Sequence, residues 1–149
     1  MKIPIDIRVR VERISADLSR RGEERPEIED FTVSGTMKKT KGGVRIEYTE
    51  DEHQTTTTID TFEDEMVTIN RVGPINSNMV FADGRSYTCI YNTGFLPIQM
   101  RIRTKSLDNS LTIDGGKLDI AYTVEIVGNL AERSHLTFSV SPDISIIKS

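Results

Sequence analysis

The sequence contains no tryptophan, only two histidines, and one cysteine in 149 residues. Because Cys89 is alone, no intrachain disulfide can form, which fits a reducing compartment. Neither His53 nor His135 has a second histidine or a cysteine at the spacing of a metal site. We therefore expect no metal and no other cofactor.

Long apolar runs are also missing. No stretch approaches the roughly 18–20 apolar residues that a membrane-spanning helix needs. Charged residues interrupt the N-terminal segment MKIPIDIRVRVERIS, which therefore lacks the apolar region of a signal peptide. The sequence predicts a cytoplasmic protein with no membrane partner.

The short motifs of several enzyme classes are absent. Neither phosphate-binding pattern, GxxxxGK[ST] or GxGxxG, occurs, and there is no GxSxG nucleophile turn. A dyad of Cys89 with His53 or His135 stays open. However, Cys89 lies between Tyr87 and Tyr91 on a face expected to point inward, where cysteine usually acts as a small buried hydrophobe. These patterns favour a non-enzymatic role.

The charge balance argues against nucleic acid as the main partner. The formal net charge is -4, whereas nucleic-acid-binding domains usually carry a basic surface. Two predicted strands have basic residues on one face: Arg101, Arg103 and Lys105 in one, Arg8 and Arg10 in the other. They would form a phosphate-binding patch only if the two strands were adjacent. The alternative is a solvated face with acidic cross-strand partners.

Alternation of apolar and polar residues is the strongest pattern that the sequence does contain. In GGKLDIAYTVEIVG, residues 115–128, one parity is occupied by Leu118, Ile120, Tyr122, Val124 and Ile126. A period of two with one apolar face predicts a strand that has one side on a core and one in water. The N-terminal segment repeats the pattern with Ile3, Ile5, Ile7, Val9 and Val11.

Further strands of this kind follow one another along the chain, separated by turn residues such as Asp83-Gly84. The polar segment 15–27 is predicted to be a mobile loop, and residues 143–149 form a tail. Two roles stay open for Ile146 and Ile147 in this tail: docking on the body, and pairing with a second copy as a homodimer. We predict one domain, residues 1–149.

Six segments occur together in a characteristic order: the strand around Gly35, then GGVRIEYTE, MVTINRVG, MVFADGRSYTCIYNT, RTKSL and GGKLDIAYTVEIVG. This set resembles the YwiB-like family of bacterial domains of unknown function, over roughly residues 28–140. The resemblance implies a calycin-type, lipocalin-like closed β-barrel in a cytoplasmic protein, and it implies no established activity. We predict an all-β fold, a single antiparallel up-and-down β-barrel of about eight to ten strands.

Polar residues interrupt the inward faces near the predicted strand ends. Tyr48 and Glu50 continue the parity of Val44 and Ile46, and Arg71 continues that of the residues before it. Since burying a charge alone is costly, each charge should have a partner or face a wet cavity. Tyr91 and Tyr122 also have inward parities and would add hydroxyl groups.

Two interpretations of this polar set stay open. In one, the residues anchor a small acidic or amphipathic ligand, with Arg71 as the fork for a carboxylate. In the other, they form an internal network that closes one end of a filled barrel. The candidate ligand-binding residues are Tyr48, Glu50, Arg71, Tyr91 and Tyr122.

The favoured function is a non-catalytic module that binds a small ligand or a partner, and no catalytic residue is assigned. One alternative is a hydrolase-type enzyme that uses an inward carboxylate such as Glu50 as general base. The other is a structural or interaction protein with a filled barrel, acting through its surface.

Overall fold

Ten β-strands form one antiparallel sheet in the computed structural model. The structure describes residues 1–16, 22, 25–63, 65–92, 94–126 and 129–142. The strands are β1 (Ile3–Ser15), β2 (Glu27–Thr40), β3 (Gly43–Glu50), β4 (Thr55–Thr61), β5 (Met66–Val72), β6 (Ser77–Ala82), β7 (Ser86–Tyr91), β8 (Ile98–Asn109), β9 (Gly116–Ile126) and β10 (Asn129–Pro142). The predicted tail and residues 17–21 and 23–24 of the predicted mobile loop lie outside the described residues.

The strands follow an up-and-down order in which consecutive strands pair, except β6 and β7. The first and last strands also pair, from Ile5 opposite Pro142 to Ser15 opposite Glu132. The order β6-β5-β4-β3-β2-β1-β10-β9-β8-β7 leaves one break in the ladder, between β6 and β7. There the backbones of Asn76 and Asn92 exchange two hydrogen bonds of 2.9 Å at the ends of the two strands. The barrel is therefore nearly closed, and the predicted architecture is confirmed.

The inward parities of the strands make the core. The largest fully buried side chains include Ile5, Ile7, Ile46, Phe81 and Phe138. Burying a side chain of this size stabilises the fold by roughly 1.5–3 kcal/mol relative to leaving it in water. The alternation predicted for residues 115–128 places its apolar parity in this core, so one face of β9 is buried from Leu118 to Val124. Among the described residues, no helix has the length and apolar character of a membrane span.

The antiparallel order sorts the connections to two ends of the barrel. The turns after β2, β4, β6 and β8 lie at one end, which we call the Gly43 end. The connections after β1, β3, β5, β7 and β9 lie at the other, which we call the Arg71 end.

The Gly43 end is tightly packed. A Cβ atom at Gly43 would lie 2.1 Å from the backbone oxygen of Thr61. The buried hydroxyls at this end accept hydrogen bonds from backbone: Val44 N–H donates to Thr61 Oγ1 at 3.0 Å, and Ala82 N–H donates to Thr104 Oγ1 at 3.2 Å. These two buried hydroxyls are thus satisfied, as buried polar groups usually are.

The outer face does not join the two basic stripes. Strands β9 and β10 lie between β8, which carries Arg101 and Arg103, and β1. On β1, the Arg8 guanidinium donates to both carboxylate oxygens of Asp30, from Nε at 3.0 Å and from Nη2 at 2.9 Å. The adjacency that a shared phosphate-binding patch requires is therefore missing.

Candidate functional site

The Arg71 end opens into a cavity with two parts. An outer mouth of about 300 Å³ leads to an inner chamber of about 80 Å³. Four charged residues, Arg13, Glu29, Glu50 and Arg71, line both parts and form what we call the charged ring. The mouth is at the lower end of the size range of ligand pockets, about 300–1,000 Å³. The chamber holds only two or three waters at about 30 Å³ each.

The charged ring consists of two ion pairs of unequal quality. Arg13 Nη1 lies 3.1 Å from Glu29 Oε1, within ordinary hydrogen-bond distance. Arg71 Nη2 lies 3.5 Å from Glu50 Oε1, at the outer limit of a hydrogen bond and through one nitrogen. The second Glu50 oxygen lies 3.9 Å from His53 Nε2. Arg71 is therefore held loosely, in contrast to the two-pronged Arg8–Asp30 pair on the outer face.

The ring forms because the strands extend beyond their apolar residues. Arg13 continues the inward parity of Val9 and Val11 along β1, and Glu29 continues that of Phe31 along β2. Each strand thus turns from apolar to charged as it leaves the core. With the Glu50 side chain 14% exposed and the Arg71 side chain 39% exposed, the ring marks the boundary between core and solvent.

Three hydroxyl groups line the inner chamber together with apolar side chains. They belong to Tyr48, Thr57 and Tyr122. Burial raises the pKa of Tyr48, and the nearby Thr57 hydroxyl partly opposes this effect. Burial also raises the pKa of Tyr122, where the Ser134 hydroxyl has the opposing effect. Both phenols therefore keep their protons at neutral pH and can donate hydrogen bonds.

Thr57 is the unusual member of this group. The residue is 1% exposed, and within the described part of the chain its Oγ1 has no hydrogen-bond partner. The Tyr48 phenol is close enough for the Thr57 hydroxyl to lower the pKa of Tyr48. The contact nevertheless falls outside the geometry of an ordinary hydrogen bond, and we therefore treat it as weak. A buried hydroxyl without a partner costs about 1–3 kcal/mol. Such a group is available to a hydrogen-bonding partner that enters the chamber.

The outer mouth has an apolar side next to the charged ring. Pro74, Ile75 and Tyr91 line it, and the Asn76–Asn92 bridge brings their connections together. The loop after β7 contains Phe95 and Leu96, both largely exposed. The mouth therefore offers charged and apolar surface within one opening.

The five residues predicted from sequence all line the two-part cavity. Tyr48 and Tyr122 lie in the inner chamber, Tyr91 in the outer mouth, and Glu50 and Arg71 in both. Their role in binding stays a prediction.

The sequence analysis did not identify Arg13, Glu29 or Thr57. The same parity argument could have found them, since Thr57 shares the inward parity of Ile59 along β4. The apolar residues that mark β1 and β2 stop before Arg13 and begin after Glu29, so the alternation alone assigns neither charge to a strand.

Of the other candidate groups, His53 lines the outer mouth, whereas Cys89 and His135 do not line this cavity. Cys89 is buried in the core, and burial raises the pKa of its thiol. His135 lies on the outer face of β10, where its Nε2 bonds to Asp119. The sheet therefore separates Cys89 from His135. Within the described residues, no group of three or more His, Cys, Asp or Glu side chains could hold a metal ion.

A larger groove of about 540 Å³ lies at the Gly43 end. Turn backbone and exposed charged side chains such as Lys39 and Glu63 make up much of its lining. The buried hydroxyl that it reaches, that of Thr61, already bonds to backbone. The Arg71 end is therefore the better candidate, because only its chamber contains a buried polar group without a described partner.

Comparison with known proteins agrees with this architecture. The family model described as "Domain of unknown function (DUF1934)" matches residues 13–138. The crystal structure of the YwiB protein from Bacillus subtilis matches with a TM-score of 0.79 and 20% sequence identity, over 95% of this chain and 92% of that chain. At this identity the likeness shows the fold alone. No curated protein matches the chain.

Proposed function

This chain belongs to the DUF1934 family, and on that premise we propose that it is a cytoplasmic, non-catalytic module that binds a small amphipathic ligand at the Arg71 end. The acidic group of the ligand pairs with Arg71, and its apolar part lies against Pro74 and Ile75. Both surfaces line the same mouth.

The loose attachment of Arg71 carries this proposal. Its contact with Glu50 is long and single, whereas a guanidinium can form two parallel hydrogen bonds with a carboxylate. A ligand carboxylate that forms both hydrogen bonds with Arg71 is therefore a better partner for this side chain than Glu50 is. Arg71 lines both the mouth and the chamber, which supports a pairing at the entrance.

The packing of the barrel limits the size of the ligand. Ile46, Ile59 and Phe81 are fully buried and fill the interior, so an extended chain has no room inside the barrel. Side chains thus occupy much of the interior, as in the filled-barrel interpretation, and the proposed ligand binds only at the Arg71 end. A small molecule that occupies mainly the outer mouth fits this division.

Native mass spectrometry of the protein purified from cells tests the proposal. We expect a retained small molecule with an acidic group, and at least about tenfold weaker retention in Arg71→Gln, because a charge-assisted hydrogen bond is worth roughly 1.5–3 kcal/mol. Arg101→Gln, which removes an exposed arginine from the outer face of β8, is the matched control and should retain the molecule. Unloaded protein that also takes up nothing from a cell extract would overturn the proposed function.

A further inference from the structure

The inner chamber offers hydrogen-bond donors to a group that enters it. The hydroxyl of Thr57 has no partner among the described residues, and the phenols of Tyr48 and Tyr122 stay protonated at neutral pH. The two carboxylates of the charged ring already accept from the two guanidinium groups. A group that enters the chamber therefore meets hydrogen-bond donors, which favours oxygen acceptors over an apolar chain.

The charge of the ring selects among the acceptor groups. Two arginines and two glutamates leave the ring neutral when His53, at its edge, is neutral. A monoanion that draws Arg71 away from Glu50 leaves one uncompensated negative charge, on Glu50, whose other oxygen lies 3.9 Å from His53 Nε2. A dianion such as a phosphate monoester would leave a second negative charge unbalanced. The ring therefore fits a carboxylate better than a phosphate.

The size of the chamber sets a second limit. At about 80 Å³ it is smaller than the roughly 150 Å³ of a cavity that admits benzene. A carboxylate with an adjacent carbon fits this space, whereas a ring or a branched carbon next to the carboxylate does not. The rest of the ligand must stay in the outer mouth, beside Pro74 and Ile75.

Resting on the proposed function, we propose that the ligand is a monocarboxylate that binds head first. Its carboxylate enters the inner chamber, where it accepts hydrogen bonds from Thr57 and Arg71, and its apolar part trails outward into the mouth. Thr57, whose hydroxyl has no partner in ordinary hydrogen-bond geometry among the described residues, is then a specificity-determining residue.

Titration calorimetry with three probe acids tests the direction of entry. The acids are hexanoate, 2,2-dimethylhexanoate, which is branched beside the carboxylate, and 5-methylhexanoate, which is branched at the far end. Head-first binding predicts that the first branch weakens binding at least about tenfold and that the second changes it by less than about threefold. Hexanol, which lacks the carboxylate, should bind at least about tenfold more weakly than hexanoate.

Substitutions on β4 test the role of Thr57. Thr57→Val removes the hydroxyl at nearly constant volume and should weaken hexanoate binding about tenfold, whereas Thr57→Ser keeps the hydroxyl and should bind within about threefold of the wild type. Thr58→Val, which alters the outward residue next in the strand, is the matched control and should change nothing.

The outcomes separate this inference from the proposed function. Three results would each overturn head-first carboxylate binding. They are binding of 2,2-dimethylhexanoate as tight as that of hexanoate, binding of hexanol as tight as that of hexanoate, and unchanged hexanoate binding by Thr57→Val. If hexanoate does not bind at millimolar concentration while mass spectrometry finds a retained molecule whose acidic group is not a carboxylate, the inference fails and the proposed function stands. If neither experiment finds a bound molecule, both fail.

Discussion

The two ends of the barrel treat their buried hydroxyl groups differently. At the Gly43 end, Thr61 and Thr104 accept hydrogen bonds from backbone N–H groups. At the Arg71 end, Thr57 is as deeply buried but has no hydrogen-bond partner among the described residues. Two buried threonines thus form hydrogen bonds with backbone at the Gly43 end, whereas within the described residues Thr57 at the Arg71 end forms none. Since buried polar groups are nearly always paired, the difference separates a structural end from a candidate binding end.

The largest expected effect comes from crowding the Gly43 end. Gly43→Ala should lower the free energy of unfolding by about 3 kcal/mol, because its Cβ would lie 2.1 Å from the Thr61 backbone oxygen, which cannot move without shifting β4. Gly42→Ala is the matched control in the same turn. Its nearest atom would be 3.9 Å away, so we expect a change below about 0.5 kcal/mol. Equal urea midpoints for the two variants would contradict the tight packing of this end.

Exchanging a threonine for valine at each end tests the comparison directly. Thr104→Val should lower the free energy of unfolding by about 1–3 kcal/mol, because the buried Ala82 N–H loses its acceptor. Thr57→Val should be neutral or stabilising by up to about 1 kcal/mol, since it replaces a hydroxyl that bonds to nothing described. Urea denaturation measures both. If Thr57→Val destabilised the protein as much as Thr104→Val, Thr57 would have a structural role and the ends would be alike.

A smaller effect is expected from the two phenols of the inner chamber at alkaline pH. Burial raises the pKa of Tyr48 and of Tyr122 in the folded state, so the unfolded chain loses these protons first. Stability is therefore complete below the ordinary pKa of about 10 and falls as pH rises through the folded value, by at most about 1.4 kcal/mol per pH unit for each tyrosine. Unfolding between pH 9 and 11 should show a shallower loss in Tyr48→Phe. An unchanged slope in both Tyr48→Phe and Tyr122→Phe would contradict the buried chamber.

Much of the fold and half of the site follow from one sequence pattern. Strand alternation assigns inward positions to Tyr48, Glu50 and Arg71 because each continues an apolar parity. The same rule reaches Arg13 and Glu29 only if β1 and β2 are known to continue past their apolar residues, and sequence leaves those strand ends unmarked.

Other features depend on the positions of several strands at once. Whether Thr57 has a partner is decided by the distances between β3, β4 and β9, which no single segment specifies. The quality of the Arg71–Glu50 contact is likewise set by the spacing of β3 and β5 across β4. The sequence also does not predict the break in the ladder between β6 and β7, because the Asp83-Gly84 turn is typical of an ordinary hairpin with paired strands.

That break also determines which strand pairs cost the most chain entropy to form. The ten strands fall into two meanders, β1–β6 and β7–β10, in which each strand pairs with the next one in the sequence. Such pairs close short loops and cost little chain entropy. The β1–β10 ladder instead brings Ile5 opposite Pro142, and it alone among the nine ladders of the sheet joins segments that are distant in the chain. The topological cost of making a barrel from this sequence is therefore concentrated in one long strand pair.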